Sequence, residues 1–192
     1  MDYRLGVAGG PEAIDGGTGI LFLHPSTAET DRLDTDFLKA DSDHYLVVST
    51  RTTAHEVDQK LEFYDVDLDK ATIVDAISAE RGYSRRQSER VTYLRTPDDV
   101  DKLIDAVRRF LDETDGRRRI SFDSITELSF YAGETRTRGA VEELLDLLDT
   151  HDAVGLFHLS TGIHDDEIVA GYRSLFDIVV ELDADGAVDV EA

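Results

Sequence analysis

"GILFLHPSTAETD", Gly19 to Asp31, is the stretch whose reading decides the fold. Ile20 to Leu23 form a short apolar run of the kind a buried strand uses, and a turn of small and polar residues follows. Leu33, Phe37 and Leu38 then share one helical face, so the pattern predicts strand, turn and helix in succession. In many α/β proteins a nucleotide's phosphates sit at that junction. This turn has no glycine after Gly19 and no lysine, and it carries Glu29 and Asp31.

Working outward, strands and helices alternate. "HYLVVST", His44 to Thr50, predicts a second strand, and Val57 and Leu61 mark a helix from about Ala54 to Phe63. "ATIVDAI", Ala71 to Ile77, predicts a third strand; a polar loop and the short apolar piece "VTYL" follow. Thr96-Pro97-Asp98 has the chemistry of a helix start, ahead of a stripe of Val100, Leu103, Ile104, Val107 and Leu111. "RRRISFDSI" predicts strand four, a long helix surrounds Val141 to Leu148, and "AVGLFHLS" predicts strand five. A helix near Asp165 to Leu175 leads to strand six, "DIVVELD", and "DADG" turns into a last short strand, "AVDV". Residues 1–18, rich in Gly and polar side chains, are expected to form a loose arm, with a single α/β domain over 19–192. Strands separated by single helices imply a three-layer αβα fold around a mostly parallel sheet, whose ligands bind beyond the strands' carboxyl ends. Those ends are the turns after Leu23, Thr50, Ile77, Asp123 and Ser160.

The 192 residues contain 42 acidic and 20 basic side chains, for a net charge of -22, and no cysteine. Without cysteine there are no disulfides, thiolate metal sites or cysteine nucleophiles. Only Lys39, Lys60, Lys70 and Lys102 are lysines, which leaves sixteen arginines among the twenty basic residues. The regular apolar runs argue for a folded chain rather than a disordered polyanion. No apolar run reaches the ~18 residues of a membrane span, and the N-terminus has no signal-peptide pattern. The expected location is cytoplasmic. Asp-rich, Lys-poor surfaces resemble those of haloarchaeal cytoplasmic proteins, where molar salt screens self-repulsion. Such a surface argues against nonspecific nucleic-acid binding.

"FDSITELSFYAGETRTRGAVEELLDLLDTHDAVGLFHLS" resembles the second half of a RecA-type ATPase core of the KaiC kind. "YLVVSTRTTAHEVDQKLEFYDVDL" is similar to that family's second strand and following helix, and "SLFDIVVELDADG" to its closing strand and hairpin. The resemblance runs in order over about Gly19 to Val190, and looks nearest to a haloarchaeal group of such domains. It implies a RecA-like core with a C-terminal β-hairpin and a phosphate loop in the turn after strand one.

A working phosphate loop reads G-x-x-x-x-G-K-[ST]: the glycines let backbone N–H groups close on the phosphates, the lysine neutralises charge and the hydroxyl holds Mg²⁺. Laid on the same junction, this chain offers His24, Pro25, Ser26, Thr27, Ala28, Glu29, Thr30 and Asp31. His24 and Glu29 stand at the glycines, Thr30 at the lysine and Asp31 at the hydroxyl. Pro25 also lacks an N–H. Each lost charge-assisted hydrogen bond costs about 1.5–3 kcal/mol. With carboxylate repulsion added, the loss is several kcal/mol, on the order of a thousandfold or more in affinity.

By the same resemblance Asp123, followed by Ser124, stands at the Walker B aspartate; its other reading is a polar residue ending a strand and capping a turn. The family's catalytic acids follow strand two, where this chain has Ser49-Thr50-Arg51. Arg51, Arg81, Arg85, Arg86, Arg90, Arg136 and Arg138 fall near the strands' carboxyl edge. They form either an anion- or partner-binding rim or pairs with neighbouring acids. "RRR" at 117–119 precedes strand four and is expected to be solvated. The six histidines lack H-x-x-x-H or HExxH spacing, which argues against a metal site, and His158 reads as a hydrogen-bonded core residue. No G-x-S-x-G elbow surrounds Ser26, Ser124 or Ser160.

The expectation is a non-catalytic RecA/KaiC-like interaction or regulatory module, with no cofactor, a protein partner, and a monomer or homodimer rather than a ring. The alternatives are a divergent ATPase binding ATP and Mg²⁺ through Asp123, Thr30 and the arginines, and a nucleic-acid-binding RecA relative.

Overall fold

A computed structural model of the chain describes residues 1–83 and 88–192. Its central sheet has eight strands: β3 (Gly19–Pro25), β4 (His44–Ser49), β5 (Ala71–Asp75), β6 (Val91–Tyr93), β7 (Arg118–Asp123), β8 (Val154–Thr161), β9 (Ile178–Leu182) and β10 (Val188–Glu191). Their spatial order is β10-β9-β3-β8-β7-β4-β5-β6, and every pairing is parallel except β9 with β10. The closing hairpin and the mostly parallel three-layer arrangement are those expected from the sequence.

Alternation along each strand divides the core between two faces. Leu21, Leu23, Val48, Ile120, Phe122 and Phe157 meet α3 (Val100–Glu113), α4 (Ile125–Ala132), α5 (Glu134–His151) and α6 (Asp166–Arg173). Ile20, Phe22, Tyr45, Val47 and Leu156 meet α1 (Asp31–Lys39) and α2 (Ala54–Phe63). The stripe of α3 is buried as its spacing predicts, but the helix begins at Val100 rather than at Pro97. Asp99 N–H bonds to the Thr96 carbonyl at 3.2 Å, so Thr96–Asp99 is a turn that delivers the chain to the helix. The helix α4 was not foreseen as a separate element. The α2 boundaries agree with the sequence, because Thr53 and Glu56 form a reciprocal cap at its start.

Two expectations are corrected at the amino edge of the sheet. Residues 1–18 are not loose: β1 (Asp2–Arg4) and β2 (Ala13–Asp15) form an antiparallel pair, with Tyr3, Leu5 and Ile14 buried. Nor is "RRR" solvated, because Arg119 has 0% relative exposure. Its guanidinium carbon lies 4.8 Å from the Phe37 ring centroid and 5.4 Å from that of Tyr3. It also donates to the Arg4 carbonyl and to Asp41. A buried cation between two rings and a carboxylate thus fastens the N-terminal hairpin to β7 and α1. No helix among the described residues is long and apolar enough to cross a membrane.

Candidate functional site

At the carboxyl edge, β3 runs two residues beyond its apolar core. His24 pairs with Ser160 and Pro25 with Thr161, so the first two positions of the expected phosphate loop belong to the parallel ladder. Ala28 N–H closes a turn on the Pro25 carbonyl at 3.0 Å, and α1 begins at Asp31 with Thr30 before it. An anion nest needs backbone N–H groups alternating between right- and left-handed conformations. Among the described residues, left-handed backbone occurs at Gly17 and next at Asp65, leaving none between 24 and 31. Ser26, Thr27 and Glu29 project into solvent and Thr30 is buried.

Below this turn, on the α1/α2 face, lies a seam of polar side chains, buried except for Lys60, which is partly buried. β3 supplies His24, β8 His158, and β7 Ser121 and Asp123; α1 supplies Asp34 and α2 supplies Lys60. Lys60 Nζ is 2.7 Å from Asp34 Oδ2 and 3.9 Å from Asp31. Ser121 donates to Asp34 Oδ1, and His158 Nε2 lies 3.3 Å from the same oxygen. Burial opposes ionisation of Asp34, but the charges of Lys60 and His158 outweigh it and hold the carboxyl well below its ordinary range. Burial likewise works against the Lys60 charge, and Asp34 more than restores it. The lysine absent from the turn is therefore present beneath it, spent on an internal carboxylate.

Asp123 is treated in the same way. Arg51, just after β4, grips it with two hydrogen bonds, Nε to Oδ1 at 3.2 Å and Nη2 to Oδ2 at 2.9 Å. This is the bidentate fork geometry that guanidinium and carboxylate favour. Burial raises the Asp123 carboxyl, yet His158, Arg51 and Lys60 together depress it. Thr50 Oγ1 donates to the Asp123 and Ser124 carbonyls and accepts from Ser124 N–H at 2.9 Å. Ser124 caps α4, accepting from Glu127 N–H at 3.3 Å and donating to its carboxylate. Both oxygens of Asp123 and the hydroxyl of Ser124 are thus committed within the chain.

His24 and His158 complete the seam with ring centroids 5.4 Å apart, both packed on Phe22. Burial, with His158 as neighbour, lowers His24 to about 4, so it is neutral near pH 7. His24 Nε2 and His158 Nδ1 have no hydrogen-bond partner among the described residues. No group of three or more potential metal ligands occurs among those residues.

Four of the arginines expected at the carboxyl edge, Arg51, Arg90, Arg136 and Arg138, have acidic partners among the described residues. Arg136 and Arg138 lie on α5, paired with Asp101 at 3.2 Å and Glu142 at 3.1 Å, and Arg90 pairs with Asp58 at 3.4 Å. Arg85 and Arg86 lie outside the described residues. Sequence reasoning missed Asp34 and Lys60. The signal was available: Asp34 precedes Phe37 by three and Leu38 by four, on the helix face that must be buried.

Between residues 24 and 31 there is no left-handed backbone, Asp123 is held by Arg51, and Lys60 is held by Asp34. The fold is shared with several solved structures. A KaiC-like protein, PH0186 from Pyrococcus horikoshii OT3, superposes with a TM-score of 0.69 at 15% identity, over 95% of this chain and 81% of that one. An ATPase from the type III secretion system of pathogenic bacteria gives 0.68 at 16% identity, over 96% of this chain. The chain spans only 58% of that ATPase's length. An uncharacterized protein, PH0321 from Pyrococcus horikoshii, in complex with an unknown peptide, gives 0.67 at 15% identity, covering 92% and 83%. No curated protein matches the sequence. These likenesses identify the fold as RecA-like. A family model matches from the first residue to the last, so the chain belongs, over residues 1–192, to DUF7090, a family of unknown function.

Proposed function

We propose that this chain is a non-catalytic RecA/KaiC-like domain that works as a protein-interaction or regulatory module. The single observation that carries the reading is the bidentate Arg51–Asp123 pair. In the resembled family the aspartate at that place supports Mg²⁺; here a resident guanidinium supplies the positive charge a metal would bring. The ladder pairing of His24 and Pro25 and the exposed Glu29 support the same reading. So does PH0321, a neighbour in fold whose structure contains an unknown peptide. The net charge of -22 fits a working environment of high salt, such as a haloarchaeal cytoplasm.

Calorimetry of the full chain with ATP and Mg²⁺ at molar salt tests the proposal. The expected result is no binding at micromolar nucleotide; a dissociation constant in that range, about -8 kcal/mol, would overturn it. An ATPase reading draws on Asp123 standing at the end of β7, and it requires Arg51 to leave that carboxylate. It predicts turnover that disappears in Asp123→Ala, and equal background in both proteins dismisses it.

A further inference from the structure

Beside the turn after β3 an open groove of about 430 Å³ runs between α4 and the segment that follows β8. Five large apolar side chains are exposed among the described residues, and two of them, Phe130 and Ile163, line this groove. Phe130 is 83% exposed and Ile163 62%, values that core packing does not require. Ile125 and Leu128 form the buried stripe of α4; Phe130, two residues beyond Leu128, falls off it.

The surroundings of this platform are mainly acidic, with Arg51 as a cation near Glu127. Glu127 lines the groove, and the Glu134 carboxylate lies 3.8 Å from His164 Nδ1 at its wall. Exposed Asp165, Asp166 and Glu167 follow His164 directly. Neither lysine nor arginine is among the lining residues. An apolar platform rimmed by carboxylates, on a chain of net charge -22, repels nucleic acid and anionic lipid and attracts an apolar anchor flanked by cations.

We propose that this groove docks a segment of a partner protein carrying an apolar side chain between lysines or arginines, seated on Phe130 and Ile163. The inference rests on the interaction-module reading and adds to it a site and a partner chemistry. Exposed aromatic residues in partly enclosed grooves are the usual anchors of such contacts.

A random dodecapeptide display library panned on the full chain, with counter-selection on the Phe130→Asp/Ile163→Asp variant, tests it. The enriched peptides should pair an apolar residue with flanking Lys or Arg. A synthetic copy should bind at least about tenfold more weakly to Phe130→Ala or Ile163→Ala. It should bind Phe63→Ala as it binds wild type, since Phe63 is equally exposed but lies on α2. Circular dichroism confirms that these surface variants stay folded. Failure to enrich over the counter-selected protein, enrichment of acidic sequences, or equal weakening by Phe63→Ala would overturn the proposal. Self-association abolished by Phe130→Asp would assign the groove to a second copy and overturn it as well. Nucleotide calorimetry on the same preparation separates the two readings: no peptide and no ATP binding refutes the groove alone.

Discussion

The two faces of β7 hold the sheet together by different chemistry. Ile120 and Phe122 point into a cluster of apolar side chains under α3, α4 and α5. Arg119, Ser121 and Asp123, which alternate with them, point the other way, and each is buried against a polar or charged partner. The apolar face tolerates approximate solutions, since dispersion and water exclusion are non-directional. The polar face does not: each of its charges is stable only while its own partner is present. On that polar face the charges answer one another within the chain.

The difference can be broken most severely at Lys60 and Phe122. Lys60→Met leaves Asp34 charged and buried, and denaturant unfolding should record a loss of about 3–5 kcal/mol. Phe122→Ala should cost a similar 3–5 kcal/mol through the cavity it leaves. The two diverge on second-site repair. Adding Asp34→Leu to Lys60→Met should recover most of the loss, because an apolar pair replaces an ionic one; a double variant no more stable than the single one would refute the account of the seam.

Next in size is the response to acid. His24 stays neutral in the folded chain down to about 4, whereas the unfolded chain takes up its proton at the ordinary value of 6.5. Folding stability should therefore fall as pH drops from 6.5 to 4, by about 3 kcal/mol at 1.36 kcal/mol per unit. Asp34 and Asp123, both depressed, contribute stability above the ordinary carboxyl range and lose it below. The loss therefore continues under pH 4. His24→Gln should flatten the first part of the curve and leave the second; an unchanged profile would place the proton elsewhere.

The smallest effect per group belongs to the surface. Exposed pairs such as Arg108–Asp105 contribute about 0–1 kcal/mol each, while repulsion among the excess acids opposes folding throughout. Raising salt from 0.1 to 1 M shortens the screening length from about 10 to about 3 Å. The melting temperature should rise, and the cost of Lys60→Met should barely change because its pair is buried. Salt that weakened the Lys60→Met effect would show the seam to be wet.

Much of this architecture was legible because it follows local rules. Apolar runs separated by amphipathic helices specified the parallel sheet, and Val57 with Leu61 marked α2. The N-terminal hairpin was hidden because its two strands have three residues each, too short for a period to register among glycines and polar residues. The turn after β3 was legible as the bend between a buried strand and a helix. The Arg51–Asp123 pair was not, because it joins residues far apart in sequence through the register of β4 against β7. One clue was overlooked: "RRISFD" alternates polar and apolar residues in a strand that the topology buries on both sides. In a doubly covered sheet such alternation announces a polar seam, not a solvated face.

The most direct test is a crystal structure grown with ATP and Mg²⁺ at molar salt. The account predicts Arg51 still bound to Asp123 through both nitrogens, and no phosphate at residues 24–31. Triphosphate density wrapped by those residues, with Arg51 drawn away and a metal in its place, would contradict it.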